Sequence, residues 1–216
     1  MNGQYFRNRK DSIMVKCLRD YKLIGSILLA FFLIHIAFDN KQVFWYFYTA
    51  TMLFLISISI VLEKVENRSN KYTNLLLGIG SGVLLYAIFY LGSYIVPLLS
   101  SSYVKQIAKL YKLFTIDATW HYFVLLFIII PGEEIFWRGF VLKRLLAVYK
   151  PITSILVSAV INGAAYYFTG YPILIIAGFL SGLLWGVLYW WKQSLPLVII
   201  SHLAFDILLL IVLPLS

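Results

Sequence analysis

Seven apolar segments, each close to the length needed to cross a lipid bilayer, dominate this 216-residue chain. They lie at roughly 23–38, 43–62, 74–98, 120–137, 152–168, 172–191 and 196–214. A membrane-spanning helix needs about 20 predominantly apolar residues, so the first, fifth and seventh segments are short or interrupted. The pattern predicts an all-α fold, a polytopic transmembrane helix bundle of about seven spans.

The residue composition favours a membrane environment over a soluble fold. Hydrophobic residues make up 62% of the chain and charged residues only 12%, whereas a soluble domain carries about 25% charged residues. The net charge of +9 is interpreted as a determinant of membrane orientation and of contact with anionic lipid headgroups. We expect a lipid membrane as a partner and no nucleic acid, because no basic groove or base-stacking module is visible.

Lysine and arginine are distributed unevenly between alternate loops, and this bias predicts the orientation of the chain. With a cytoplasmic N-terminus and an external C-terminus, 14 of these residues lie on the inner side and 4 on the outer side. We therefore predict three regions. They are a basic cytoplasmic segment (1–22), N-terminal spans with an outer interfacial helix (23–118), and a core that carries the polar motifs (119–214).

Three of the four outer lysines lie in "SYVKQIAKLYKLF", where Lys105, Lys109 and Lys112 share one helical face. Apolar residues fall largely on the opposite face. This separation is typical of a helix that lies on a membrane surface. We interpret it as a connector between spans.

Small and aromatic residues also follow patterns that membrane packing explains. The run "GFLSGLLWG" places Gly178, Gly182 and Gly186 four residues apart, which predicts close packing against a second helix. Tyrosines and tryptophans, including Tyr48 in "FWYFY", concentrate near the ends of the predicted spans. We interpret these as aromatic belts at the membrane interfaces.

The stretch "IIIPGEEIFWRGF" places two glutamates and an arginine at the end of an apolar segment. A charged group at membrane depth costs at least about 2.5–3.5 kcal/mol, and such groups usually face the bundle interior at functional sites. Glu134 and Arg138 are i,i+4 neighbours on a helix, so we expect an ion pair with an architectural role. Glu133 is rotated by about 100° from Glu134 and is left free. Apolar surroundings would suit it to act as a general base near neutral pH.

The last apolar segment contains a second polar pair in "SHLAFD". His202 and Asp206 are i,i+4 neighbours and project from one helical face, so histidine can exchange a proton or donate to an oxyanion while aspartate orients it. The structural alternative is a polar contact between helices. On the predicted spans, Glu133 and His202 both lie ~6–9 Å below the cytoplasmic surface. They can therefore meet in one inward-facing cavity.

These residues resemble the CPBP family of intramembrane proteases (CAAX protease and bacteriocin-processing, also called Abi). The matches are Glu133, Glu134 and Arg138 for the first motif, E-E-x-x-x-R, and His202 and Asp206 for the third, H-x-x-x-N/D. The resemblance covers about residues 119–211. It implies a helix bundle around a cytoplasm-facing conical cavity. It also implies that Glu133 activates the attacking water, while His202 and Asp206 stabilise the oxyanion or orient each other.

The family's second motif, F-x-x-x-H, is degenerate in this chain. Asn162 stands where the phenylalanine belongs, and Tyr166 stands where the histidine belongs. His121 lies roughly 18 Å from Glu133 on a straight helix and cannot replace the missing histidine. Ser158, Asn162 and Tyr166 recur every four residues, so they are candidates for lining the cavity.

Two functions follow from the resemblance. The first is an endopeptidase of a bacterial cell membrane, in which Glu133-activated water hydrolyses a membrane-associated or hydrophobic peptide. The second is a catalytically degenerate member that acts as a membrane scaffold, a partner-binding protein or a bacteriocin-immunity protein. We expect no cofactor. A catalytic metal is the less favoured alternative, because H-E-x-x-H is absent and one intramembrane histidine is a poor donor set for zinc.

Overall fold

The computed structural model describes residues 20–65 and 67–215. Within these ranges the regular structure is helical, apart from one isolated bridge between Asn67 and Ser194. The helices are α1 (Tyr21–Asp39), α2 (Phe44–Leu62), α3 (Lys71–Leu99), α4 (Ser101–Leu113), α5 (119–148), α6 (Pro151–Ala164), α7 (Pro172–Lys192) and α8 (Leu195–Asp206). The predicted all-α class is confirmed. The predicted basic segment 1–22 lies almost wholly outside the described residues.

Polar caps and prolines mark where several helices begin. The side chains of Asp20, Asn70, Ser100 and Ser194 accept hydrogen bonds from backbone N–H groups in the first turns of α1, α3, α4 and α8. These contacts satisfy donors that have no partner within the helix. Proline lies in the first turn of α6, α7 and α8, where its missing N–H costs nothing. The sequence thus sets these helix starts locally.

Helix α5 is longer than the sequence predicts and is not uniform. It alternates between α-helical pieces and the wider π-helical turns Leu125–Ile129 and Ile135–Leu142. The first wide turn ends two residues before Pro131, whose ring and missing N–H disrupt the regular hydrogen-bond ladder. The helix that contains the apolar segment predicted at 120–137 continues to Val148, and the membrane boundary of that segment stays a prediction.

Within the described residues, six helical stretches are long and apolar enough to cross a membrane. They are Tyr21–Asp39, Lys41–Leu62, Lys71–Leu99, Pro151–Thr169, Pro172–Lys192 and Leu195–Val212. Large apolar side chains are exposed along them, as is expected where the surrounding medium is lipid. The chain is therefore an integral membrane protein. Helix α5, which is divided by its wide turns, is not among the six, so the count of about seven spans stays a prediction.

Close helix packing depends on small residues at two contacts. A Cβ atom on Gly182 of α7 would lie 3.0 Å from the Cα atom of Ala159 on α6. On α3, a Cβ atom on Gly78 would lie 2.7 Å from Cγ2 of Ile200 on α8. The packing predicted for the α7 glycine stripe is confirmed, because Gly178 and Gly186 also face α6.

Helix α4 is amphipathic, as the sequence predicts. Leu110 and Leu113 are buried, whereas Lys105, Lys109 and Lys112 are exposed. The N–H group of Ile173, in the first turn of α7, donates to the side chain of Gln106 on α4 at 3.2 Å. This surface helix is thus anchored to the spanning bundle.

Candidate active site

Three helices bring the predicted site residues together in the interior of the bundle. Helix α5 carries Glu133 and Glu134, and α8, which packs against it, carries His202 and Asp206. Helix α2 packs against the other side of α5 and contributes Tyr48. The convergence of the first and third motifs, which the sequence could only suggest, is therefore present in the fold.

Glu134 connects α5 to α8 through one of its carboxylate oxygens. Its Oε1 atom lies 3.0 Å from Nη1 of Arg138 and 2.7 Å from Nδ1 of His202. Glu134 is fully buried, and Arg138 is only 2% exposed. A carboxylate only accepts hydrogen bonds, so Nδ1 of His202 carries a proton. The expected ion pair with Arg138 is present, and Glu134 in addition orients the histidine.

Glu133 is not free, as the sequence had suggested, because Tyr48 binds it from α2. The tyrosine hydroxyl donates a hydrogen bond to Oε1 of Glu133. The second oxygen, Oε2, lies 3.9 Å from Nε2 of His202. The two glutamates therefore use different atoms of one histidine and have different partners.

Nε2 of His202 lies between two carboxylates without a tight contact to either. It is 3.9 Å from Oε2 of Glu133 and 3.5 Å from Oδ2 of Asp206. Ordinary N–H···O hydrogen bonds are about 2.7–3.2 Å long. Neither carboxylate therefore makes a hydrogen bond of ordinary length to this ring nitrogen.

Trp185 of α7 fixes the plane of the histidine ring. The rings of Trp185 and His202 stack with centroids 3.9 Å apart, and the guanidinium of Arg138 lies 5.0 Å from the same indole. The indole N–H donates to Oγ of Ser201 at 3.1 Å. Stacking and the hydrogen bond to Glu134 together restrict the imidazole to one orientation.

The residues at the degenerate second motif separate into two groups. Tyr166 is buried, and its hydroxyl lies 3.4 Å from that of Tyr48, which in turn donates to Glu133. The side-chain amide of Asn162 donates to the carbonyl of Gly178 at 3.1 Å and joins α6 to α7. Ser158 is buried on α6. Lining of a cavity by these residues stays a prediction.

Tyr48 is the site residue that sequence reasoning missed. It was interpreted as part of an aromatic belt, but it is only 3% exposed and faces α5. The surrounding run is apolar on every face, so no periodic signal marked the buried side. A buried tyrosine hydroxyl usually has a hydrogen-bond partner, so burial of Tyr48 would have indicated a polar neighbour.

The two other histidines lie outside the site. The ring of His121 stacks on that of Trp45 with centroids 4.6 Å apart, and its Nδ1 accepts from the N–H of Asp117 at the start of α5. The ring of His35 contacts the carbonyl of Phe168 at 3.1 Å. His121 therefore does not replace the missing histidine of the second motif.

Glu133 lies near the middle of α5, because this helix continues to Val148. Its depth of ~6–9 Å below the cytoplasmic surface stays a prediction. Tyr48 lies in the second turn of α2, and Tyr166 follows the C-terminal end of α6. The polar site thus extends from the middle of the bundle towards the end that the charge bias predicts to be external. The cytoplasm-facing cavity stays a prediction.

The donor set at this site does not suit a zinc ion. Across residues 20–65 and 67–215, no group of three or more His, Cys, Asp or Glu side chains has an arrangement that could hold a metal. The one histidine present already uses Nδ1 to bind Glu134, whereas zinc sites commonly combine several histidine or cysteine ligands. The side chains of the site are therefore considered as the only chemical groups in the proposed reaction.

Comparison with known proteins gives one match. The model of a family described as "Type II CAAX prenyl endopeptidase Rce1-like" matches residues 115–208. The match includes both polar motifs and the degenerate one, and it confirms the resemblance inferred from the sequence. No curated protein and no solved structure matches the chain significantly.

Proposed function

We propose an intramembrane endopeptidase activity, because residues 115–208 match the model of the Rce1-like family of type II CAAX prenyl endopeptidases. The substrate is a membrane-associated or hydrophobic peptide, because the polar site is enclosed by apolar helices that lipid surrounds. A prenylated peptide with a C-terminal CAAX sequence is the first substrate class to test. This substrate class comes from the description of the family and not from a residue of the site.

One observation carries the proposal. Oε2 of Glu133, which Tyr48 does not occupy, lies 3.9 Å from Nε2 of His202. A base and a proton donor at this separation can act together on one reaction centre. The base takes a proton from the attacking water, and the donor binds the oxyanion that forms from the substrate carbonyl. This is the pairing of general base and oxyanion stabiliser that amide hydrolysis requires.

The proposed reaction is a direct attack of water on the peptide carbonyl. Oε2 of Glu133 takes a proton from water while the water oxygen bonds to the carbonyl carbon. The resulting oxyanion accepts a hydrogen bond from Nε2 of His202. The C–N bond then breaks, and Glu133 returns the proton to the departing amine. The products are a carboxylic acid and an amine, and Glu133 is regenerated.

His202 must carry protons on both ring nitrogens in this scheme. Nδ1 donates to Glu134, so Nε2 has an N–H group to offer only when the ring is an imidazolium. Asp206, whose Oδ2 atom lies 3.5 Å from Nε2, supplies a negative charge beside this cation. Asp206 therefore orients and stabilises the protonated histidine, since a carboxylate would repel the oxyanion.

The test is cleavage by purified protein reconstituted in lipid vesicles. The probes are a fluorogenic farnesylated peptide ending in a CAAX sequence and the same peptide without the farnesyl group. Glu133→Gln should lower the rate of cleavage by about 10²–10⁴-fold, the usual effect of losing a general base. Asp39→Asn is the matched control, because it removes one acidic charge at an exposed helix end and should leave the rate unchanged.

A non-catalytic function is the second candidate, and one observation favours it. Tyr166 occupies the second-motif position, and within the described residues no second histidine approaches Glu133. A scaffold, partner-binding or immunity protein would keep the buried contacts without needing proton transfer. Such a protein would show no cleavage of either probe, and Glu133→Gln would leave its cellular phenotype intact.

The orientation is also a proposal. The basic residues support a cytoplasmic N-terminus and an external C-terminus in a bacterial cell membrane. Reporter fusions at both termini would test this arrangement. Reporter activity that placed the C-terminus in the cytoplasm would contradict it.

A further inference from the structure

Tyr48 is held rigidly beside Glu133 by aromatic neighbours. Its ring stacks on that of Phe44 with centroids 5.2 Å apart and an interplanar angle of 18°. The ring of Phe38 meets it edge-on at 5.8 Å. The side chain is only 3% exposed. A ring packed on both sides in this way has little freedom to swing its hydroxyl away from the carboxylate.

The hydroxyl of Tyr48 has two partners, and together they determine the direction of its proton. It donates to Oε1 of Glu133, and the hydroxyl of Tyr166 lies 3.4 Å away. A phenol keeps its proton near neutral pH, and a carboxylate can only accept. The proton of Tyr48 therefore points at Glu133, and Tyr166 supports the second side of the same oxygen.

The two oxygens of Glu133 are consequently not equivalent. Oε1 is engaged by α2, whereas Oε2 faces Nε2 of His202 at 3.9 Å. Without the contact to Tyr48, the carboxylate could rotate about its terminal torsion, which is broad for glutamate. A partial rotation would turn the lone pairs of both oxygens away from the reaction centre.

We propose that Tyr48 is a positioning residue that holds Oε1 of Glu133, so that Oε2 alone receives the proton of the attacking water. This proposal rests on the endopeptidase function proposed above. It also explains how the chain can lack the second-motif histidine. The contact to the base comes from α2, while Tyr166, at the motif position itself, supports Tyr48.

The kinetic test compares three tyrosine-to-phenylalanine variants in the reconstituted cleavage assay. Tyr48→Phe keeps the packed ring but removes a hydrogen bond to a charged group, so kcat should fall about 10- to 100-fold. KM should change less than about twofold, since a group that only aligns the base does not bind substrate. Tyr166→Phe should lower kcat by a smaller factor, roughly threefold, because it acts through Tyr48.

Tyr171→Phe is the matched control. Tyr171 is also buried and contacts Phe38, but its hydroxyl has no hydrogen-bond partner among the described residues. This variant should retain both kcat and KM. If Tyr48→Phe does not fold, Tyr166→Phe alone tests the proposal. A kcat of Tyr166→Phe equal to that of the wild type would then overturn it.

A chemical readout separates this proposal from the proposed function. Dicyclohexylcarbodiimide, a hydrophobic reagent for intramembrane carboxyl groups, should modify Glu133 several-fold faster in Tyr48→Phe than in wild type or Tyr171→Phe, because Oε1 is uncovered. Mass spectrometry would locate the adduct. Equal labelling in all three proteins would refute the positioning contact, even if Glu133→Gln abolishes cleavage. Faster labelling of Glu133 in Tyr48→Phe, with no cleavage of either probe by the wild type, would support the contact between Tyr48 and Glu133 and refute the proposed endopeptidase activity.

Discussion

The Arg138–Glu134 pair offers the sharpest test of how this bundle tolerates buried charge. Arg138→Met keeps much of the side-chain volume but leaves the carboxylate of Glu134, which is 0% exposed, without its cation 3.0 Å away. Removing one partner of a buried pair typically costs ~3–5 kcal/mol. Insertion scales give a similar figure, about 2.5–3.5 kcal/mol, for one charge at membrane depth. We expect the free energy of unfolding to fall by about 3 kcal/mol.

The double variant Glu134→Gln with Arg138→Met distinguishes charge from packing. Glutamine keeps a carbonyl oxygen that can accept from Nδ1 of His202, and both members of the former Glu134–Arg138 ion pair are then neutral. The double variant should therefore recover about 2 kcal/mol relative to Arg138→Met, since neighbouring sites couple strongly. Reversible unfolding in mixed micelles, followed by tryptophan fluorescence, measures each free energy. The reasoning is refuted if Arg138→Met costs less than about 1 kcal/mol, or if the double variant is no more stable than the single one.

Two further predictions concern contacts away from the site. Gly182→Leu should destabilise the bundle by about 1–3 kcal/mol through overpacking, because its Cβ atom would lie 3.0 Å from Ala159. In the control Gly80→Leu, the new Cβ atom meets nothing within 4 Å, and the unfolding free energy should not fall. Arg144→Gln removes two ion pairs between partly exposed side chains, to Asp20 at 2.7 Å and to Glu63 at 2.9 Å, so it should cost roughly 1 kcal/mol and less in high salt. Losses as large as for Arg138→Met would contradict this ranking.

Much of the fold follows from local sequence patterns. Each of the seven apolar segments is helical, and capping residues and prolines mark several of the helix starts. The amphipathic helix α4 and the glycine contact between α6 and α7 were also predicted, because they depend on spacing along one helix.

The extent of α5 could not be predicted because it depends on partners distant in sequence. The predicted apolar segment ended at residue 137, directly before Arg138, since charges normally end a span. In the folded chain Arg144 binds Asp20 at 2.7 Å and Glu63 at 2.9 Å, from the ends of α1 and α2. These acidic partners let the helix continue to Val148. A charge count along the chain cannot supply that information.

The candidate site was predicted only in part for the same reason. Motif spacing indicated that α5 and α8 would present Glu133 and His202, and the structure brings them together. The sequence assigned Asp206 as the immediate partner of His202, but the shortest contact of this histidine is with Glu134. Tyr48 was missed because a tyrosine among aromatic residues looks alike whether it faces lipid or a carboxylate. Contacts between helices, rather than patterns within them, decided these details.

The most direct test of the account is cleavage of the farnesylated peptide in ¹⁸O-labelled water, with both the products and the protein analysed by mass spectrometry. Attack of Glu133-activated water predicts one ¹⁸O atom in the new C-terminal carboxylate and no peptide adduct on the protein. Glu133→Gln should yield no labelled product on the same timescale. Labelled product formed by Glu133→Gln at the wild-type rate, or a covalent peptide–protein adduct, would contradict the proposed role of Glu133.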